Sequence, residues 1–222
     1  LLLIVSGGCA INCRYCFRRH FPYADNNLST EQWQQALDYI RQDDSLSEVI
    51  YSGGDPLAAN DRRLAWLTRE IAAIPHIRRL RVHTRLPIVI PQRVTGGLID
   101  ALCGTRLPVT MVLHCNHANE IDGHLGKAIV QLRRAGITLL NQAVLLKGVN
   151  DQLDQQLALS QTLGDHGVLP YYLHVLDHVK GAQHFHVDDQ RAQQLVGQML
   201  SRLPGFLVGK TSKVPLPVEL LE

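Results

Sequence analysis

Short apolar runs alternate with amphipathic stretches of helical period along almost all of the 222 residues. Residues 1–5 (LLLIV) read as a short buried strand. Residues 29–43 read as a helix, with Ser29 at the N-cap, Gln32 three residues on, and Trp33, Ala36, Leu37 and Ile40 on one face. A strand over 47–52 runs into the turn "SGGDP", and a helix over 61–74 aligns Leu64, Leu67, Ile71 and Ile74. The alternation continues with a strand at 78–84, a short helix at 96–104 stopped by Gly104, a strand at 109–115 and a helix at 126–136. A strand at 137–146, a helix at 151–165, a strand at 169–177 and a helix at 188–203 complete it. Six strand–helix units in succession predict an α/β fold with a parallel sheet and helical crossovers. A partial (β/α)6 TIM-like barrel suits the length better than a full eight units, which take about 250 residues. A doubly wound open sheet is the alternative.

In barrels of this kind chemistry sits at the C-terminal ends of the strands. The first predicted strand ends in "SGGCAINCRYCFRRHFPY" and the second in Ser52-Gly53-Gly54-Asp55. The third ends in His83-Thr84-Arg85, and the fourth in His114, Asn116 and His117. Asn141 and Gln142 lie in the fifth, and Tyr171, Tyr172, His174 and Asp177 at the end of the sixth. Polar residues at every strand end of one rim are the pattern of an enzyme.

Bulk composition changes this picture little. A net charge of +2 gives no case for a nucleic-acid partner or an acidic membrane, and no apolar run approaches the roughly 18 residues of a membrane span. The five cysteines do change it, because three fall within residues 9–16. A disulfide framework would spread them along the chain, so a reducing, cytoplasmic setting is expected. LLLIV is too short for a signal peptide, and the chain opens in mid-strand without Met. It is therefore expected to be a fragment lacking an N-terminal segment, with one domain over 1–222 and a tail over 204–222.

Thiolates select zinc, copper(I) or iron–sulfur centres. Cys9, Cys13 and Cys16 are spaced C-x3-C-x2-C, and His20 is available as a fourth zinc ligand. The other reading is a 4Fe–4S cluster held at three corners, with one iron open to an external ligand.

The C-x3-C-x2-C loop after the first strand, with Tyr15 before its last cysteine and "SGGDP" after the second strand, resembles the radical S-adenosylmethionine (SAM) superfamily. The resemblance narrows over nearly the whole chain. "CRYCFRRHFPY", "SGGDPL", "HTRLPIVIPQRVT", "HCNHANEI", "NQAVLLKGVND", "PYYLHVLDHVKGAQHF" and "SKVPLP" together look like the lysine 2,3-aminomutase family. That likeness implies an isomerase using a 4Fe–4S cluster, SAM and pyridoxal 5′-phosphate (PLP) to move the amino group of L-lysine from α to β. It implies Cys9, Cys13 and Cys16 as cluster ligands, and Tyr15, Ser52, Gly53, Gly54, Asp55, Arg85, His114 and Gln142 around the cofactors. Gly53, Gly54 and Asp55 would orient the SAM ammonium. Arg18 would bind the substrate carboxylate and Asp177 its side-chain ammonium. Lys213, in "SKVPLP", would be the PLP lysine, with Lys210 as rival. The family's second aspartate, seven residues before that lysine, is Phe206 here, a departure that argues against efficient turnover of free lysine.

"FRRHFPY" and the missing aspartate resemble the bacterial branch that makes β-lysine for elongation factor P, which implies a functional link to its modifying ligase. Other branches act in catabolism, biosynthesis or on glutamate, and Asp177 argues against an acidic substrate side chain. A homo-oligomer is a further expectation. The competing functions are a PLP-independent radical SAM enzyme, such as a glycyl-radical activator, and a non-enzymatic zinc or iron–sulfur module. Cys103 and Cys115 are read as packing thiols, and His184 and His186 as an exposed loop pair.

Overall fold

A computed structural model describes residues 1–18 and 29–212. Seven strands form one parallel sheet in sequential order: β1 (Leu2–Ser6), β2 (Glu48–Gly53), β3 (Arg79–Thr84), β4 (Val109–Leu113), β5 (Thr138–Leu145), β6 (Leu169–Val175) and β7 (Lys210–Ser212). A doubly wound sheet reverses its strand order midway; this one does not. With right-handed crossovers, uniform progression keeps the connecting helices on one face. Among the described residues β1 and β7 are edges, so the described sheet is a partial, unclosed barrel. The expected six strands are joined by a seventh, which three polar-to-small residues (KTS) could not announce by periodicity. Only its pairing with β6 defines it.

The connecting helices are α1 (Thr30–Gln42), α2 (Asp61–Ala72), the single turn α3 (Leu86–Val89), α4 (Gly96–Cys103), α5 (Gly123–Arg134), α6 (Leu153–Asp165) and α7 (Asp189–Leu200). The Ser29–Gln32 capping box is formed as the sequence predicts. α5 starts at Gly123, three residues earlier than expected, because the Asp122 carboxylate accepts from the His124 and Leu125 amides at 2.9 and 2.8 Å. α6 starts later than Asp151, whose carboxylate instead accepts from the Gly148 amide in the preceding turn.

Strand side chains alternate between faces. Val5, Val49, Tyr51, Leu80, Val82, Met111, Leu113, Leu139, Leu145 and Val175 face the helices and are buried beneath Leu37, Ile40, Leu64, Leu67, Leu98, Leu125, Leu132, Leu163 and Leu195 in one continuous core. The buried Tyr51 hydroxyl is satisfied by Thr68 Oγ1 at 3.1 Å. The opposite, inner face carries Ile50, Ser52, Arg81, His83, Gln142, Tyr172 and His174, and is mostly half-buried.

Candidate active site

The cysteine loop is seated on the C-terminal end of β2. The Gly54 amide donates to Ser6 O at 2.8 Å, and the Asp55 amide to Gly8 O at 2.9 Å. Gly53 has φ +128°, and a Cβ there would stand 2.3 Å from Ser6 O; one at Gly54 would stand 2.5 Å from Gly8 O. Both glycines are therefore required by the loop that bears the cysteines, whatever else approaches them. The three thiols are free; Cys9 is exposed, and Cys13 and Cys16 are half-buried in a turn closed by the Cys16 amide on Cys13 O. Burial, then Asp55, Cys16 and Cys13, push the Cys9 thiol up to about 11, so the sulfurs lie within one another's fields. Among the described residues no three His, Cys, Asp or Glu groups converge at metal-holding spacing. Three soft thiolates on one loop are the donor set of an iron–sulfur cluster held at three corners, and equally of a zinc site completed by a fourth ligand. His20 lies outside the described residues. A cavity of about 500 Å³ opens beside Cys9, walled by Leu57, Leu86 and Ile90.

Asp55 is buried, and both its oxygens are taken. Oδ1 accepts from the Leu57 amide (3.0 Å) and Thr84 Oγ1 (2.7 Å); Oδ2 accepts from the Arg85 and Leu86 amides (2.8 and 3.0 Å). The carboxylate ties the end of β2 to the end of β3. Burial outweighs these donors and raises its pKa.

Tyr15 and Arg85 are likewise committed to the protein. The Tyr15 ring packs against the small cluster of Leu146, Leu176, Val179 and Ala182. Its hydroxyl receives the Arg85 Nη1 hydrogen bond and one from Asn116 Nδ2 at 2.7 Å. Arg85 Nη1 also donates to His114 O at 3.2 Å, and Nη2 pairs with Glu120 Oε2 at 2.6 Å. The other Glu120 oxygen accepts from the Asn116 and His117 amides at 2.7 and 3.0 Å. Asn116 in turn accepts from the Val144 amide, and its carbonyl accepts from Asn150 Nδ2. A chain of hydrogen bonds thus runs from the cysteine loop through the ends of β3, β4 and β5.

The remaining expected residues gather on the inner face. Arg18 Nη1 donates to Ser52 Oγ at 2.7 Å and to Gly53 O at 3.0 Å, so Ser52 is buried beneath the guanidinium. Gln142 Nε2 donates to His114 Nε2 at 2.7 Å, which places the His114 proton on Nδ1. His83 stands edge-to-face with His114, and Tyr172 stacks on His174. Burial, then the Arg81, Arg18 and His174 charges, lower His83 to about 4, and its Nε2 is buried with no hydrogen-bond partner among the described residues. Burial and the same cationic surroundings lower His114 to about 3. Both imidazoles are neutral at ordinary pH.

Asp177 follows β6 and is half-buried. Lys213 lies outside the described residues; Lys210 is exposed on β7, in register with Tyr172. Phe206 is 65% exposed. His184 meets Arg14 and Phe185, and His186 stacks on His178, so the two form no pair of their own. Cys115 is buried beside Glu120, and Cys103 packs against the core, as expected of packing thiols. Sequence reasoning missed Glu120 and Asn150. The only available signal for Glu120 was the H-x-x-E spacing from His117, which reads as a local cap and does form one.

Residues 3–101 match the model of the Radical SAM superfamily. The chain is 52% identical to an L-lysine 2,3-aminomutase of Escherichia coli, the match covering 99% of this chain and 66% of that protein. It is also 52% identical to an L-lysine 2,3-aminomutase of Haemophilus influenzae, over 96% of this chain and 63% of that protein. The chain thus spans just under two thirds of the length of these relatives. Among solved structures it resembles Streptococcus suis SuiB, with a TM-score of 0.68 at 14% identity, covering 95% of this chain and 48% of that one; this likeness speaks to fold alone.

Proposed function

We propose, from the premise that the chain belongs to the radical SAM superfamily and within it to the lysine 2,3-aminomutase family, that it carries a lysine 2,3-aminomutase activity. The observation that carries the reading is the seating of the three-cysteine loop directly on the "SGGDP" turn, beside an inner face lined by Arg18, His83, His114 and Gln142. When bound, the cluster with SAM supplies a 5′-deoxyadenosyl radical, and PLP supplies the path along which the amino group moves from α to β.

The chain's own residues bind and orient. Cys9, Cys13 and Cys16 hold the cluster. Arg18 is steered by Ser52 and Gly53 at one edge of its guanidinium, a planar fork suited to a carboxylate. His114, with its proton on Nδ1, offers a neutral donor, and Gln142 fixes its ring. Neutral imidazoles at His83 and His114 add no repulsion toward a lysine ammonium, which Asp177 is assigned to receive. Lys213 is assigned as the PLP lysine. The substrate L-lysine, the link to the elongation factor P ligase, a homo-oligomeric state and a cytoplasmic location belong to the same reading. No helix among the described residues is long and apolar enough to cross a membrane.

The test is anaerobic reconstitution with iron, sulfide, PLP and SAM, followed by assay of L-lysine for β-lysine. Absence of β-lysine, with cluster and PLP both bound, would refute the activity. Borohydride reduction and peptide mapping should label Lys213; label on Lys210 would reverse that assignment, and no label would favour a PLP-independent radical SAM enzyme.

A further inference from the structure

The Tyr15 side chain sits between Cys13 and Cys16 in sequence, and besides a hydrogen bond with Cys13 it is fixed from other strand ends. Its hydroxyl is held by Arg85 and Asn116, and both of these are held by Glu120. Glu120 is the one anion in the set. One oxygen takes the Arg85 guanidinium at 2.6 Å, and the other takes two backbone amides of the loop after β4. The pair is well screened from water, with side chains 17% and 22% exposed. A charge-assisted bond in such a place is stronger than its surface counterpart. Removing the charge leaves Arg85 free to leave the Tyr15 hydroxyl, where a second anchor, Asn116, depends on the same carboxylate for its backbone position.

We propose that Glu120 is a positioning residue for the cysteine loop: through Arg85 and Asn116 it clamps Tyr15 and so holds Cys13 and Cys16 in place for their ligand. The inference rests on the aminomutase reading only for the identity of that ligand. The clamp itself stands on the hydrogen bonds.

Glu120→Gln isolates the effect. It keeps an oxygen for the Asn116 and His117 amides but turns an amide N–H toward Arg85 Nη2, so donor faces donor. The cofactor-free, reduced full-length protein is alkylated with iodoacetamide, and the rate at each cysteine is read by peptide mass spectrometry. Cys13 and Cys16 should react about tenfold faster in the variant, because one charge-assisted hydrogen bond is worth roughly that factor in a local opening equilibrium. Cys103, on α4 and away from the clamp, serves as the reference and should keep its rate.

Tyr15→Phe, which removes only the hydroxyl, should raise the Cys16 rate, Cys13 being set apart because that hydroxyl also hydrogen-bonds its thiol, and gives the test if Glu120→Gln folds poorly. Arg85→Lys combined with Glu120→Gln should add little to either alone, as members of one unit do. After reconstitution, the electron paramagnetic resonance signal of the reduced cluster should change in Glu120→Gln. Unchanged Cys13 and Cys16 rates would overturn the proposal, and so would a parallel rise at Cys103, which would mean general loosening. None of these readouts needs β-lysine formation, so a failed aminomutase assay with the labelling pattern intact would remove the function and leave the clamp.

Discussion

Lowering the pH from 7.5 to 5 should cost this fold heavily, and two inner-face histidines set the amount. An ordinary imidazole takes up its proton near pH 6.5, whereas His83 is lowered to about 4 and His114 to about 3. Burial is the first cause for each, and the neighbouring Arg81, Arg85, Arg18, His174 and the partner imidazole add to it. Above pH 6.5 both imidazoles are neutral in folded and unfolded chains alike, so they contribute no pH dependence. Below 6.5 the unfolded chain binds protons that the fold refuses, and stability falls as pH falls toward the folded values. At pH 5 the deficit is 1.5 pH units, or about 2 kcal/mol for each histidine and about 4 kcal/mol for the pair. That sum is a large part of the 5–15 kcal/mol that holds a typical domain together. It is also insensitive to the folded values, provided they lie at or below about 4.

Urea unfolding of the cofactor-free protein at pH 7.5 and 5.0, compared with His83→Gln, checks this. The variant removes one proton site and should lose about 2 kcal/mol less than wild type between the two pH values. Burial still depresses His114 in the variant. Asp55, raised by burial, works in the opposite sense, gaining stability as pH falls, but it is common to both proteins and cancels in the difference. Equal losses in wild type and His83→Gln would refute the argument, because they would mean that His83 titrates normally in the fold.

Asp55→Asn turns an N–H toward at least one of four buried donors; it should destabilise the protein by about 2–3 kcal/mol, read as a fall in thermal midpoint without any ligand present. Gly54→Ala must push Gly8 O from 2.5 Å to ordinary contact, so it should displace the cysteine loop and lower iron incorporation on reconstitution. Gly96→Ala meets nothing within 4 Å in the first turn of α4 and should be neutral or stabilising by up to about 1 kcal/mol, with iron content unchanged. Arg18→Lys keeps the charge but loses the fork; it should raise KM for the substrate more than it lowers kcat in the reconstituted aminomutase assay.

The periodicities of the chain were sufficient for the α/β class, for six of the seven strands and for the rim on which polar residues would collect. Alternating burial and helical spacing are local consequences of geometry, and residues such as Leu37, Leu64 and Leu132 declare their faces within a few positions. The cysteine spacing likewise sufficed to place three free thiols on one loop, because all three lie within eight residues. Tertiary structure decided what partners each polar residue has. Asp55 and Tyr15 look, in sequence, like groups turned toward a ligand; in the fold their polar atoms are taken up by Thr84, Leu86, Arg85 and Asn116, which lie 29 to 101 residues away. β7 and the Glu120 clamp were invisible for the same reason. A three-residue strand and a lone carboxylate have no periodicity, and what defines them is hydrogen bonding between segments that only the assembled sheet brings together.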